Sequence, residues 1–301
     1  MARGAARVNM FRRQKTGSVL CPSCGQLVGV NDDECLNCGR KRPGMWGLTG
    51  PLRGLARGEA FVPFVMWACA AVYLASLAAD PSGIRFDGLG ILSPSPASMF
   101  RFGAAGYLPV FLLDRWWTPL SAGWLHAGLI HIGFNLLAVR NLGPLVSHLY
   151  GASRTILIYV ISSACGFVAS SIAQFVFLGR PWPLGGAGTT LGASAAVFGL
   201  IGAALHYGRR GGSSLIRDQA VQWIVSGLVF GFLVKGIDNW AHLGGLAGGY
   251  LVSIWLDPMK PERGDHAAMA VIALVLSLGS VLVSLLVPLP AGFLEFLHQL
   301  S

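Results

Sequence analysis

Seven apolar runs, separated by charged or turn-forming stretches, divide this chain after residue 60. A helix needs about 20 predominantly apolar residues to cross the hydrocarbon core of a bilayer. The pattern therefore predicts spans over residues 61–79, 120–139, 155–178, 188–207, 219–234, 239–256 and 267–288. The fifth is the weakest, because Gln219, Gln222 and Ser226 interrupt it. Two regions stand outside the spans. Residues 1–58 are hydrophilic, and residues 80–118 form a long loop whose stretch MFRFGAAGYLPVFLLDRWW is too apolar for a solvated linker. Tyr107, Trp116, Trp117 and the nearby Phe residues suit the headgroup level, so this loop is expected to lie half-sunk in the interface. The tail, residues 291–301, reads as a short interfacial helix.

Composition agrees. Of 301 residues, 53% are hydrophobic and only 12% charged, about half the charged share of an ordinary soluble domain, and mean hydropathy is +0.60. The 41 glycines show no three-residue period, which excludes collagen and fits close helix packing in lipid. A net charge of +9 would raise nucleic-acid binding in a soluble protein. Here the basic residues flank apolar spans, so membrane orientation explains them and nucleic acid is not expected as a partner. With the N-terminus inside, 17 of the 22 Lys and Arg fall on the inner side and 5 on the outer. The positive-inside rule then predicts a cytoplasmic N-terminus and an external C-terminus. The first twenty residues lack an apolar core, so no cleavable leader is expected.

Under this topology the second, fourth and sixth spans run in the same direction, and each carries its unusual polar residues near its outer start. These are His126, His131 and Asn135 on the second, Ser194 on the fourth and His242 on the sixth. Polar groups inside a bilayer are costly and mark functional sites. A serine hydroxyl is a weak nucleophile that needs an adjacent base, and His242 is suited to take its proton. No carboxylate lies within the spans to orient the imidazole; Asp238 stands at the mouth of the sixth and Asp114 in the loop. A Ser–His dyad is therefore expected rather than a triad. His131 and Asn135 are four apart, hence on one helix face, and His126 is expected to precede the regular helix. Gly244 with Gly248, and Gly245 with Gly249, form small-xxx-small pairs on the sixth span, and Gly192, Ala195, Gly199 and Gly202 line the fourth. Such surfaces let backbones approach closely. His148 and His206 read as solvated residues near the inner surface.

These segments, WLHAGLIHIGFN (124–135), GASAAVFGLIGA (192–203) and AHLGG (241–245), resemble the three signature segments of rhomboid intramembrane serine proteases. The resemblance covers roughly residues 61–256. It implies an all-α membrane protein, a rhomboid-like six-helix transmembrane bundle, with the seventh span as an additional C-terminal helix. It also implies Ser194 as nucleophile, His242 as base, His131 and Asn135 as oxyanion-hole donors and His126 as an accessory histidine. Two positions depart from the family. Ala195 follows the serine where glycine is usual, and Trp117–Thr118 stands where a Trp-Arg pair is usual, with Arg115 displaced upstream.

The hydrophilic head holds a different chemistry. Cys21-Pro-Ser-Cys24 and Cys35-Leu-Asn-Cys38 are two CxxC knuckles, each followed by glycine. Four thiolates at this spacing suit a tetrahedral structural zinc, which would supply the folding energy that so small a module lacks. A reducing cytoplasmic side disfavours disulfides. Cys69 and Cys165 lie in spans and read as packing residues.

The expected organisation is a cytoplasmic N-terminal region (1–58) with a zinc-ribbon-like module at about 18–42, a rhomboid-like catalytic membrane domain (59–257), and a further helix with a short tail (258–301). The expected function is a serine endopeptidase cleaving membrane proteins in or next to their transmembrane segments, in a multi-pass protein of a bacterial plasma membrane. The expected partners are transmembrane substrates, the bilayer and a protein docking on the head; catalysis needs no cofactor. The rival reading is an inactive relative that binds transmembrane helices for quality control or trafficking. A transporter or channel is disfavoured by the absence of paired acidic residues within the spans.

Overall fold

The structure, a computed structural model, describes residues 14–45, 61–87, 90–180, 184–290 and 292–293. The join between head and membrane helices and nearly all of the expected tail helix lie outside the described residues. The head is a short hairpin, β1 (Ser18–Leu20) antiparallel to β2 (Leu27–Gly29). A second hairpin, β3 (Arg85–Asp87) with β4 (Gly90–Ser93), belongs to the loop after the first span.

Eight helices of seven residues or more are described: α1 (Phe61–Ala78), α2 (Pro96–Phe102), α3 (Leu129–Tyr150), α4 (Ala152–Val176), α5 (Ser194–Arg210), α6 (Ser214–Leu233), α7 (Asn239–Trp255) and α8 (Gly264–Leu286). All but α2 correspond to the seven predicted spans. Four of them, α1, α3, α4 and α8, are long and apolar enough to cross a membrane on length and composition alone. The helices α5 and α7 are shorter, 17 residues each, or about 26 Å at 1.5 Å per residue. Irregular backbone leads into both. Within a bilayer such backbone is tolerated only when protein or a water-filled cavity surrounds it.

That irregular backbone corrects two predicted boundaries. The second span begins at Leu129, not residue 120, and continues to Tyr150, leaving Gly151 alone before α4. Residues 118–124 form a single helical turn and a 3-10 turn, then extend at Leu125. The fourth span begins at Ser194, six residues later than the hydropathy suggested. The preceding segment bridges to the long loop instead: Ala105 and Thr190 exchange hydrogen bonds of 3.0 and 2.7 Å, and Tyr107 N donates to Ala187 O at 3.1 Å. The apolar character of 120–128 and 188–193 comes from burial in protein. Hydropathy cannot distinguish that from burial in lipid.

The weak fifth span is a continuous helix, capped by the Ser213 hydroxyl on Ile216 N. The long loop is also more ordered than an interfacial segment requires. It contains β3, β4, α2 and a π-helical turn at Leu108–Leu112. Trp116 is 74% exposed, as the headgroup reading expects, but Arg115 is buried.

Helix α7 packs between α4 and α5, and its two glycine pairs face different neighbours. A Cβ added at Gly244 would lie 2.5 Å from Ala169 Cβ, and one at Gly248 would lie 2.7 Å from Cys165 Cβ, both on α4. A Cβ at Gly245 would lie 2.1 Å from Ala195 O, and one at Gly249 would lie 2.1 Å from Gly199 O, both on α5. Gly245 and Gly249 thus meet backbone on α5, while Gly244 and Gly248 admit the small side chains of α4, the close approach that small residues permit in lipid. His206 departs from its solvated reading: it is buried, with Nδ1 3.0 Å from the Tyr150 hydroxyl. His148 is exposed as expected.

Candidate active site and metal centre

Helix α5 starts at Ser194, so its first-turn N–H groups have no intrahelical partner. The turn before it depends on Gly192, whose φ of +126° is disfavoured for any residue with a side chain. Its N–H donates to Ala122 O at 2.9 Å. Its missing side chain leaves room for His131: a Cβ there would lie 2.6 Å from both Cε1 and Nε2 of that ring. The His131 Nδ1 accepts a hydrogen bond from Ala127 N at 3.2 Å. In a neutral imidazole this leaves the proton on Nε2, the nitrogen turned toward the backbone before Ser194. One turn further along α3, buried Asn135 donates from Nδ2 to His131 O at 2.9 Å, with its second amide hydrogen uncommitted by that bond.

His242 lies in the first turn of α7 and is buried. Its ring stacks on Phe198 with centroids 4.2 Å apart and planes 10° from parallel. Phe198 follows Ser194 by four residues, so the two share one face of α5, and the imidazole lies against that face one turn along from the serine. The Gly245–Ala195 backbone contact sets the helix separation beside it. His242 Nδ1 has no hydrogen-bond partner among the described residues, so no carboxylate orients it there. His126, buried just ahead of α3, has its ring centroid 5.2 Å from that of His131, and neither of its nitrogens is bonded among the described residues. His126 and His131 thus lie beside one another, His131 lies against the turn two residues before Ser194, and His242 lies against Phe198, four residues after it.

Ala195 occupies the position where glycine was expected, and the neighbouring helix accommodates it. A Cβ on Gly166 of α4 would lie 2.7 Å from the Ala195 methyl and 2.5 Å from Ala241 O. The room for this methyl comes from Gly166 on the facing helix.

Sequence reasoning missed two residues that hold this arrangement. Asp238 caps α7, with Oδ1 accepting from Ala241 N at 3.1 Å, while Oδ2 accepts from the Ser170 hydroxyl of α4 at 2.5 Å. Ser170 Oγ in turn accepts from Ala187 N at 3.3 Å, on the segment leading to Ser194. The cap was legible as an aspartate just ahead of a helix; the Ser170 contact had no sequence signal. The displaced Arg115 is the second. Its guanidinium donates to Phe100 O at 2.6 Å and to Ser284 O at 2.5 Å, so the loop is anchored without the family's Trp-Arg pair.

In the head, the Sγ atoms of Cys21, Cys24, Cys35 and Cys38 lie within 4.8 Å of one another. The Cys21–Cys38 and Cys24–Cys35 pairs are 3.7 and 3.6 Å apart. Tetrahedral zinc with bonds of about 2.3 Å places its sulfurs about 3.8 Å apart, so this donor set fits the ion. The glycines after the knuckles, Gly25 and Gly39, adopt φ of +77° and +69°, and their N–H groups close back on Cys21 O and Cys35 O, each at 2.9 Å. The Cys24 thiol is lowered to about 6 by the backbone N–H of Gln26 and then the Asn37 side chain, whereas Cys38, against the pull of the Arg40 backbone N–H, is pushed up to about 12 by burial and the neighbouring thiols.

Residues 113–258 match the family model described as the rhomboid domain. Among curated proteins, the chain is 36% identical to rhomboid protease GluP of Bacillus subtilis over 169 residues, covering 55% of this chain and 31% of that one. It is 30% identical to RHOMBOID-like protein 7 of Arabidopsis thaliana, covering 55% of this chain and 51% of the relative. With the protein YdcA of Bacillus subtilis it shares 30% identity over 55% of this chain and 79% of the other. The chain thus spans about a third to a half of the length of the first two relatives and most of the third.

Proposed function

The chain belongs to the rhomboid family, and we propose that it is a serine endopeptidase cleaving membrane proteins in or next to their transmembrane segments, with Ser194 as nucleophile and His242 as base. What supports this reading is the His131 ring seated against the Gly192 turn, two residues before Ser194, with the His242 ring stacked on Phe198, four residues after it. It is a multi-pass integral membrane protein; a bacterial plasma membrane, a cytoplasmic N-terminus and an external C-terminus are part of the proposal.

In the reaction, His242 Nε2 takes the Ser194 hydroxyl proton as Oγ attacks the scissile carbonyl carbon. The carbonyl π electrons move to oxygen, and the oxyanion is met by the Ser194 N–H, His131 Nε2–H and Asn135 Nδ2–H. Such donors, fixed before reaction in a site shielded from bulk water, are the larger part of the catalysis. His242 then returns the proton to the leaving amine, the C–N bond breaks and an acyl-serine remains. Water deprotonated by His242 hydrolyses that ester. His126, with both ring nitrogens uncommitted, is suited to hold this water. Phe198 substitutes for the missing carboxylate by fixing the plane of the imidazole through stacking, leaving a dyad.

The substrate must present an unpaired peptide bond, so local unwinding of its helix precedes cleavage. The four head cysteines would hold zinc in a structural role, and a protein partner docking on the head is proposed with it. The test uses the full chain in proteoliposomes with a single-pass substrate. Wild type cleaves it and is labelled by a fluorophosphonate, whereas Ser194→Ala and His242→Ala do neither. Undiminished cleavage by either variant overturns the assignment. A wild type that neither cleaves nor labels would instead indicate a non-catalytic helix-binding relative.

A further inference from the structure

The additional helix α8 presents three buried serines, Ser277, Ser280 and Ser284, along one face. Two of them meet the loop that leads into the site. Trp124 Nε1 donates to Ser277 Oγ at 2.8 Å, and Trp117 Nε1 donates to Ser284 Oγ at 2.9 Å. Arg115, buried on the same loop, donates to Ser284 O and lies 5.7 Å from the Trp117 ring centroid. Ser284 is within the last turn of α8, where carbonyls lack intrahelical partners and the helix dipole favours a cation. Close approach is built in on the loop side as well. A Cβ at Gly103, where φ is +101°, would lie 2.3 Å from Ser121 Oγ and 2.5 Å from Ser284 Oγ.

The clamped segment has two direct outlets to the chemistry. Trp124 precedes His126 by two residues. Ala122, between the two clamped tryptophans, accepts the Gly192 N–H at 2.9 Å, and Gly192 precedes Ser194 by two. We propose that α8 is a positioning element of the site, its serines holding residues 115–124 so that His126 and the turn before Ser194 keep their geometry. Helix α8 is then part of the working enzyme, although it lies beyond the residues that match the family. Trp124 and Ser277 are both buried, so losing one partner of this bond leaves the other unsatisfied. This inference rests on the protease reading for its kinetic arm only.

The experiment compares Ser277→Ala, Trp124→Phe, their double variant and Ser277→Thr as full chains in proteoliposomes. Each single variant is expected to lower kcat about five-fold with KM unchanged. The double falls no further, since both changes remove one bond, and Ser277→Thr restores turnover. Amide hydrogen exchange across residues 122–126 rises in Ser277→Ala and supplies a readout independent of activity. If Trp124→Phe does not fold, Ser277→Ala, which removes one oxygen, decides alone. Wild-type kcat in a folded Ser277→Ala overturns the proposal, as does a loss confined to KM or unchanged exchange across 122–126. A wild type without cleavage or fluorophosphonate labelling would fell the protease reading. The exchange arm would still decide whether α8 holds the segment, unchanged exchange overturning the clamp.

Discussion

Replacing Gly245 by alanine tests the geometry of the dyad most directly. The added methyl carbon would lie 2.1 Å from Ala195 O and 2.9 Å from Ala195 C. Ordinary van der Waals contact begins at 3.4 Å, so α5 and α7 must part by about 1.3 Å at this level. The opposing atoms are helix backbone and cannot swing aside as a side chain would. Ser194 precedes Ala195 by one residue and His242 precedes Gly245 by three, so the separation falls on the reacting pair. A misplacement of about 1 Å costs on the order of 100-fold in rate, or about 2.7 kcal/mol of barrier. Turnover of a single-pass substrate should therefore fall at least that far in Gly245→Ala, with the thermal transition recorded alongside. Gly279→Ala on α8 is the control, since a methyl there meets nothing within 4 Å. A folded Gly245→Ala enzyme with wild-type kcat would refute the argument that this seam sets the Ser194–His242 distance.

Gly192→Ala combines a positive φ with a methyl 2.6 Å from the His131 ring; the backbone alone costs about 1–2 kcal/mol, and kcat should drop by about 100-fold or more. A variant that keeps wild-type turnover would show that His131 does not depend on this turn. Asp238→Ala removes the α7 cap and the Ser170 acceptor together, and its midpoint of thermal unfolding should fall, the cap being worth about 0.5–2 kcal/mol. Asp238→Asn, which still caps, should lose less than Asp238→Ala, and equal losses would count against the capping role. In the head, elemental analysis should find one zinc per chain, lost in a Cys21→Ser, Cys24→Ser double variant and kept in Cys69→Ser. Zinc content unaffected by the double variant would rule out the four-thiolate site.

The candidate site stood out in the sequence because its chemistry is anomalous in its surroundings. Ser194, His242, His131 and Asn135 are polar residues in apolar helices, and their co-directional placement follows from counting spans and basic residues. His126 was read correctly as lying ahead of the regular helix. The glycine pairs announced close packing, but only the packed helices reveal that Gly244 and Gly248 serve α4 while Gly245 and Gly249 serve α5. The anchoring role of Arg115 had no sequence signal, because one of its two acceptors, Ser284 O, is a backbone group 169 positions away. Likewise Ser170 and Asp238 are 68 positions apart, and nothing local links them.

The sequence by itself pointed to the membrane class, to seven apolar helices, to a candidate nucleophile and base, and to a four-cysteine cluster that could hold a metal. Each follows from composition, period or short-range spacing, which are properties of a one-dimensional pattern. Tertiary structure alone decided where α3 and α5 begin, which glycine meets which backbone, and that α8 grips the loop before the site. Those outcomes depend on whether an apolar or polar group finds its partner in protein or in lipid. Hydropathy scores both environments alike, whereas a serine opposite a tryptophan N–H and a glycine opposite a carbonyl oxygen tell them apart.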